Sequence, residues 1–209
     1  MRISWIIHKI YVGKDKMKGE AEKALLGLKL EAEKCKRCGL YKTRTNVVFG
    51  VGPATAKVVL VGEAPGFWED KQGAPFVGAA GKNLDALLHE AGLRREDVYI
   101  TNVVKSRPPG NRDPTDEEIE ACRPFLEGQI SAIKPKLVVA LGRIAARELL
   151  GRPVTMSKEH GSLLDCTYAG VNFKLFLTYH PAAAIYSGRT KQELQANFLK
   201  LKQILKTMA

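Results

Sequence analysis

Short, wholly apolar runs alternate along this chain with longer segments of helical period, and that alternation predicts its architecture. Residues 58–61 (VVLV), 137–141 (LVVAL) and 173–177 are dense in apolar side chains, and 98–104 reads as a further strand with Asn102 inside it. Runs of that length and composition suit parallel strands buried on both faces. Residues 163–170 read as a hairpin arm paired with the strand at 173–177. Residues 19–34 carry Leu25, Leu26, Leu28 and Leu30 among charges, and 81–91 place Leu84, Leu87 and Leu88 on one helical face. Residues 192–208 do the same with Leu194, Phe198, Leu201 and Leu205. Between them, DPTDEE at 113–118 is a helix start with acids in the first turn, running towards Ile133, and 144–150 form a short helix. Strands separated by helices imply crossover connections and helices on both faces of one sheet. The expected fold is therefore α/β: a three-layer α/β/α arrangement around a central four-stranded parallel sheet. Residues 19–209 are expected to form one domain, with 1–18 as a flexible extension.

Charge narrows the partners. Lys plus Arg number 33 against 22 Asp plus Glu, a formal net charge of +11. That excess suits a polyanion such as nucleic acid; a merely solvated basic surface is the competing account. No apolar run approaches the roughly 18 residues needed to cross a membrane. The start, with one apolar patch at Ile3–Ile7, is a weak signal peptide, so an intracellular, cytoplasmic protein is expected.

Two loops concentrate the chemistry. Residues 62–78 (GEAPGFWEDKQGAPFVG) follow the first strand, and 178–183 (TYHPAA) follow the last. Both fall at carboxyl ends of strands, where open α/β sheets place their ligands. The first offers Glu63 and Glu69, the small residues Gly62, Ala64 and Gly66, and the ring of Phe76. It is not a dinucleotide fingerprint, because Pro65 and the acids break that pattern. The second offers His180. A third segment, TNVVKSRPPGNR at 101–112, adds the Asn102 amide and a rigid basic loop with Arg107 and Arg112. Taken singly, His180 could just bond a loop carbonyl, Asn102 could satisfy backbone, and Phe76 could be core. Together they suit gripping a flat polar ring and stabilising charge on it.

These three segments resemble the motifs of the family 4 uracil-DNA glycosylases, iron–sulfur enzymes of thermophilic archaea and bacteria. The likeness runs from about Cys35 to Leu205. It implies a monofunctional enzyme that hydrolyses the N-glycosidic bond of uracil in single- and double-stranded DNA, opening base excision repair, and that works as a monomer. The resemblance puts His180 against a uracil carbonyl oxygen and Phe76 in a stack on the base, with Glu69 orienting water or steadying the sugar cation. Glu63, Gly62, Ala64 and Gly66 would shape the pocket. Asn102 could match uracil O4 and N3–H. The segment after His180, with Ile185 and Tyr186, resembles the loop that enters the duplex, and Arg107, Arg112, Arg189, Lys191 and Lys158 could meet phosphates. A non-catalytic binder of damaged or single-stranded DNA on the same fold is the alternative.

The cysteines carry the one departure. The chain has four, Cys35, Cys38, Cys122 and Cys166. The resemblance makes Cys35, Cys38 and Cys122 cluster ligands, but Ser106 stands where the family usually has the remaining cysteine. Iron–sulfur clusters ordinarily take four thiolates. A [4Fe-4S] cluster with serine or an outside fourth ligand is the favoured expectation; a three-iron cluster or zinc on fewer thiols is the other. Cys166, in the hairpin arm, is a poor substitute.

Overall fold

Strands β1 (Val58–Gly62), β2 (Tyr99–Asn102), β3 (Leu137–Leu141), β4 (Leu163–Tyr168) and β5 (Val171–Thr178) form one sheet in the order β2-β1-β3-β5-β4. This computed structural model describes residues 19–208, so the expected extension at 1–18 lies outside the described residues. The first four strands in that order are mutually parallel, with Leu60 level with Ile100 on one side and Val139 on the other. The expected four-stranded parallel sheet thus gains a fifth, antiparallel member: the hairpin arm, β4, lies along β5. Its turn is Ala169-Gly170, both with positive φ, which matches the twist of a tight hairpin.

Alternation along each strand divides the core between two faces. Val59, Val61, Val138, Ala140, Leu175 and Leu177 point one way, towards helices α1 (19–34), α4 (Asp116–Ile133) and α5 (Arg143–Leu150). Val58, Leu60, Leu137, Val139, Leu141 and Phe176 point the other way, onto α3 (Ala79–Ala91) and α8 (Gly188–Met208). Helix α4 starts where its acids predict: Thr115 Oγ1 accepts from the Glu118 N–H, while the Glu118 carboxylate accepts from the Thr115 N–H. That reciprocal cap satisfies two otherwise unpaired donors and contributes about 1 kcal/mol.

The differences from the sequence reading lie in short elements. Helix α2 (Phe67–Gln72) occupies part of the first motif loop, α6 (Met156–Glu159) precedes the hairpin, and α7 (Ala183–Tyr186) follows His180. Strand β2 ends at Asn102, and the next two backbone N–H groups donate across to the Gly62 carbonyl at the end of β1 and to the Glu63 carbonyl just beyond it. Asn102 therefore stands at the strand's carboxyl end, level with Gly62. The sheet reverses its winding at β1: the chain passes from β1 to β2 on one side and then crosses to β3 on the other side of β1. Loops leaving such a switch point diverge and open a crevice.

Candidate active site

The crevice outside β1, β2 and β5 holds a cavity of about 340 Å³. It brings together Glu63, Ala64, Gly66 and Glu69 from the first motif, Phe76, Asn102, Arg112, His180 and Tyr186. Residues more than about a hundred positions apart thus meet because the loops after β1, β2 and β5, three parallel strands, leave the sheet at the same edge. Gly62 lies behind this wall. A Cβ there would sit 2.3 Å from Asn102 Oδ1 and 2.6 Å from Phe76 Cζ, so glycine lets both side chains close over the strand end.

Phe76 is held in an unusual backbone conformation, φ 53°. A bulky residue there carries strain and persists only where its surroundings fix it. Here they do. Arg95 Nη2 donates to the carbonyls of Pro75 (2.7 Å) and Phe76 (3.0 Å). Gly81 of α3 approaches so closely that a Cβ would fall 1.9 Å from the Phe76 oxygen. Glu69 completes the clamp: its Oε1 accepts from the N–H groups of Val77 (2.9 Å) and Gly78 (2.8 Å) at the start of α3. Its Oε2 lies over Gly66 on the cavity wall. The Phe76 ring stands 5.5 Å from the His180 ring, tilted by 30°.

His180 has a defined tautomer. Nδ1 accepts from the Ala182 N–H at 3.2 Å, so a neutral ring must carry its proton on Nε2. Burial pushes the imidazole down to about 4, with the Glu69 carboxylate opposing that shift, so the ring is neutral near pH 7. The residue thus offers a neutral N–H donor and no net charge. Asn102 is 1% exposed, and its Oδ1 is buried with no hydrogen-bond donor among the described residues. An orphaned buried acceptor costs on the order of 1–3 kcal/mol, which a ligand N–H would recover. Glu63, at the mouth, is pushed up to about 7 by burial and by Asp113 beside it, with Arg143 opposing. Arg143 in turn pairs with Asp113 at 2.9 Å.

The basic residues divide. Arg112 lines the cavity but gives both Nη groups to the Glu118 carboxylate (2.9 and 2.7 Å). Arg107 lies beside the cavity, its Nε donating to Asn111 Oδ1 at 2.7 Å. Arg189 pairs with Glu193 on the exposed side of α8, and Lys158 and Lys191 are exposed away from the lining residues. Tyr186, 87% exposed, reaches the cavity edge, while Ile185 does not line it. Sequence reasoning missed Asn111, Pro108, Ala80 and Ala182 as wall residues. Asn111 has φ 57°, a conformation asparagine tolerates, but the segment read as a rigid basic loop whose arginines alone drew notice.

A second, smaller cavity lies on the α1–α4 side. Cys35, Cys38, Ser106 and Cys122 all border it, whereas Cys166 is buried elsewhere with its Sγ–H donating to the Leu149 carbonyl. The Lys105 N–H donates to Cys122 Sγ at 3.2 Å, and Arg44 Nη1 donates to Ser106 Oγ at 3.2 Å. Among the described residues no three metal-ligating side chains converge on a single ion. A polynuclear cluster instead takes its thiolates around its periphery. Three thiols and one hydroxyl bordering one cavity fit that donor arrangement, with oxygen at the corner held by Arg44. Lys105 itself is enclosed: Nζ donates to Thr101 Oγ1 (2.8 Å), the Asn102 carbonyl (2.5 Å) and Gln129 Oε1 (2.7 Å), and burial pulls its ammonium down to about 7.

Comparison with known proteins bears on this geometry. The family described as the Uracil DNA glycosylase superfamily matches residues 49–205. A type-4 uracil-DNA glycosylase of Archaeoglobus fulgidus is 47% identical over 178 residues, covering 83% of this chain and 89% of the relative. One from Thermotoga maritima is 50% identical over 151 residues, 72% of this chain and 77% of the relative. A type-5 uracil-DNA glycosylase of Pyrobaculum aerophilum is 35% identical over 168 residues, 71% of this chain and 72% of the relative. The matched region contains every wall of the cavity at the sheet's carboxyl edge, and on both grounds the chain belongs to the uracil-DNA glycosylase superfamily, among its type-4 members.

Proposed function

We propose that this enzyme excises uracil from DNA by hydrolysing its N-glycosidic bond, leaving an abasic site. The observation that carries the reading is Asn102, whose buried Oδ1 has no hydrogen-bond donor among the described residues, lining a cavity that also presents Phe76 and a neutral His180. A uracil extruded from the strand brings N3–H to that acceptor, and the Asn102 amide N–H can answer O4. Cytosine brings an acceptor at N3 and a donor at C4, so the same groups oppose it. A site built to bond one pattern rejects the other because its buried polar groups are left unpaired. Phe76 gives the base a face to stack on, and its clamped backbone keeps that face in place.

Bond breaking leaves negative charge on uracil and positive charge on the sugar. The Nε2–H of His180 stabilises a uracil carbonyl oxygen as charge grows, without the cost of holding an imidazolium in a buried site. A single preorganised donor of this kind contributes about 3–4 kcal/mol. Glu69, one oxygen anchored by two backbone N–H groups, keeps the other to orient water or face the sugar cation. Glu63, Gly62, Ala64 and Gly66 shape the wall. Among the described residues no lysine lines the cavity, and Lys105 is enclosed, its Nζ donating to the Asn102 carbonyl. That supports hydrolysis without a Schiff base or strand cleavage.

Cys35, Cys38 and Cys122, with Ser106 at the fourth corner, would hold a [4Fe-4S] cluster. Its contribution is structural, tying the end of α1 to the loop after β2. Both single- and double-stranded uracil-containing DNA are substrates in this reading. The enzyme works as a monomer inside the cell, where its substrate is. No helix among the described residues is long and apolar enough to cross a membrane. The test is uracil release from labelled oligonucleotides without added Mg²⁺. The parent should act on both strand forms, and Asn102→Ala should lose on the order of a hundredfold in single-turnover rate, the usual scale for one such contact. No release at enzyme excess, or an unchanged Asn102→Ala, would overturn the assignment.

A further inference from the structure

Directly beside the cavity, α2 begins with two large aromatic residues that the core does not take. Phe67 is 42% exposed and Trp68 58% exposed. Exposed apolar residues scattered singly call for no explanation, but two aromatic rings in contact at the mouth of a site do. Their rings meet edge to face, centroids 5.1 Å apart at 83°. Trp68 is seated rather than loose: its Cδ1 lies 3.5 Å from where a Cβ of Gly78 would be, against the loop that fixes Phe76. Cations gather on the same spot. The Arg107 guanidinium lies 5.1 Å from the Phe67 centroid and Lys71 Nζ lies 5.9 Å from it. Neither is in an ion pair among the described residues. Arg107 also bonds Asn111 of the cavity wall, and Gly66 of that wall precedes Phe67 in the chain. The aromatic pair, the two cations and the base cavity are therefore one continuous surface.

We propose that Phe67 and Trp68 form a stacking platform for an unpaired nucleobase adjacent to the extruded one. Trp68 supplies the open face, Phe67 braces it edge-on, and Arg107 and Lys71 meet the flanking phosphates. Aromatic surface next to cations fits single-stranded DNA, whose bases present free faces and whose backbone is anionic. A base still paired in a duplex keeps its faces occupied by its neighbours and gains nothing from Trp68. The platform thus favours single-stranded substrates. The idea rests on the proposed action on DNA but not on the excision step.

The experiment separates the two. The chain has two tryptophans, Trp5 and Trp68, so a Trp5→Phe background lets Trp68 emission report binding. The probe is a single-stranded oligonucleotide carrying a tetrahydrofuran abasic analogue, which cannot be cleaved at that site, and the same strand in a duplex. Stacking should quench Trp68 emission on the single strand. Trp68→Ala, assayed by anisotropy of a labelled strand, should weaken single-strand binding by roughly 5- to 150-fold, the scale of one base–aromatic stack. Trp68→Phe should recover most of that loss, and duplex affinity should change by less than about threefold. Single-strand affinity unchanged in Trp68→Ala, or an equal loss on the duplex, would overturn the platform. A Trp68-dependent single-strand preference in a protein that releases no uracil would keep the platform and remove the excision reading.

Discussion

His180 and Glu63 sit within one cavity and are pushed in opposite directions by the same cause. Burial disfavours charge on either, which lowers the imidazole and raises the carboxyl. The two then act oppositely on stability. His180 titrates near 6.5 when unfolded and near 4 when folded, so stability is full above pH 6.5 and is lost as the pH falls through about 4. Glu63 titrates near 4.5 when unfolded and near 7 when folded, so its contribution is full below pH 4.5 and is lost as the pH rises through about 7. Because these windows overlap, the parent's melting curve alone hides both. Glu63→Gln mimics the protonated acid at every pH. Its melting temperature relative to the parent should climb between pH 4.5 and 7 and then level off. A difference that stays constant with pH would mean that Glu63 is solvated and carries no such shift. On the catalytic side, His180 remains the neutral donor down to about pH 5, so loss of activity above that pH must come from another group.

At the scale of elements, the loop after β2 decides how the helical layer is fastened to the site. It carries Asn102 at its start, Lys105 bonded back to the Asn102 carbonyl, Ser106 on the second cavity and Arg107 at the mouth. Arg44 bridges Ser106 Oγ to the Glu33 carbonyl near the end of α1, a protein-only tie across the place where the cluster would sit. With oxygen at one corner, that cluster should be the weak member of the assembly. Ser106→Cys should raise iron content per chain and raise the melting temperature, because a ligand bound only by the folded state stabilises it by mass action. Uracil release should change little, since Ser106 is not among the residues lining the base cavity. Equal iron and equal melting points in the two proteins would show that serine serves as well as cysteine or that no cluster binds. The sequence made this layout readable where periodicity is long or a motif is dense: every strand and every long helix stands close to its predicted place. It was silent on α2 and α7, of six and four residues, because one or two helical turns carry no measurable period. It also read Asn102 as interior to its strand, because the apolar pattern runs on through Val103 and Val104 while β2 ends at Asn102. The clamp on Phe76 was invisible because Arg95, Gly81 and Glu69 reach it from three different elements.

Across the whole molecule, the question is where the net charge of +11 acts. Much of the basic surface is spoken for. Arg112, Arg123, Arg143, Arg147 and Arg152 each pair with a carboxylate, which neutralises charge; the exposed pairs of Arg143, Arg147 and Arg152 add little stability. The cavity itself is lined by Glu63 and Glu69 and would repel phosphate. Attraction for DNA must therefore come from cations around the mouth and from the long-range excess, not from the pocket. Arg107 and Lys71 lie against the aromatic pair and have no carboxylate partner among the described residues. This division predicts two separable terms. Duplex affinity should fall steeply with salt, each neutralised phosphate adding about 0.9 to the slope of log affinity against log salt, for a slope of roughly −3 or steeper. The saturating excision rate should move little over the same range, because its donors are buried and shielded from ions. Arg107→Gln should reduce the affinity slope by about 1 and leave the saturating rate near the parent's. Titrations of labelled duplex from 50 to 300 mM salt, with single-turnover rates measured at each point, read both terms. A flat affinity slope would place the excess charge away from the DNA. A saturating rate that falls in step with affinity would mean that the charges guiding DNA also take part in breaking the bond.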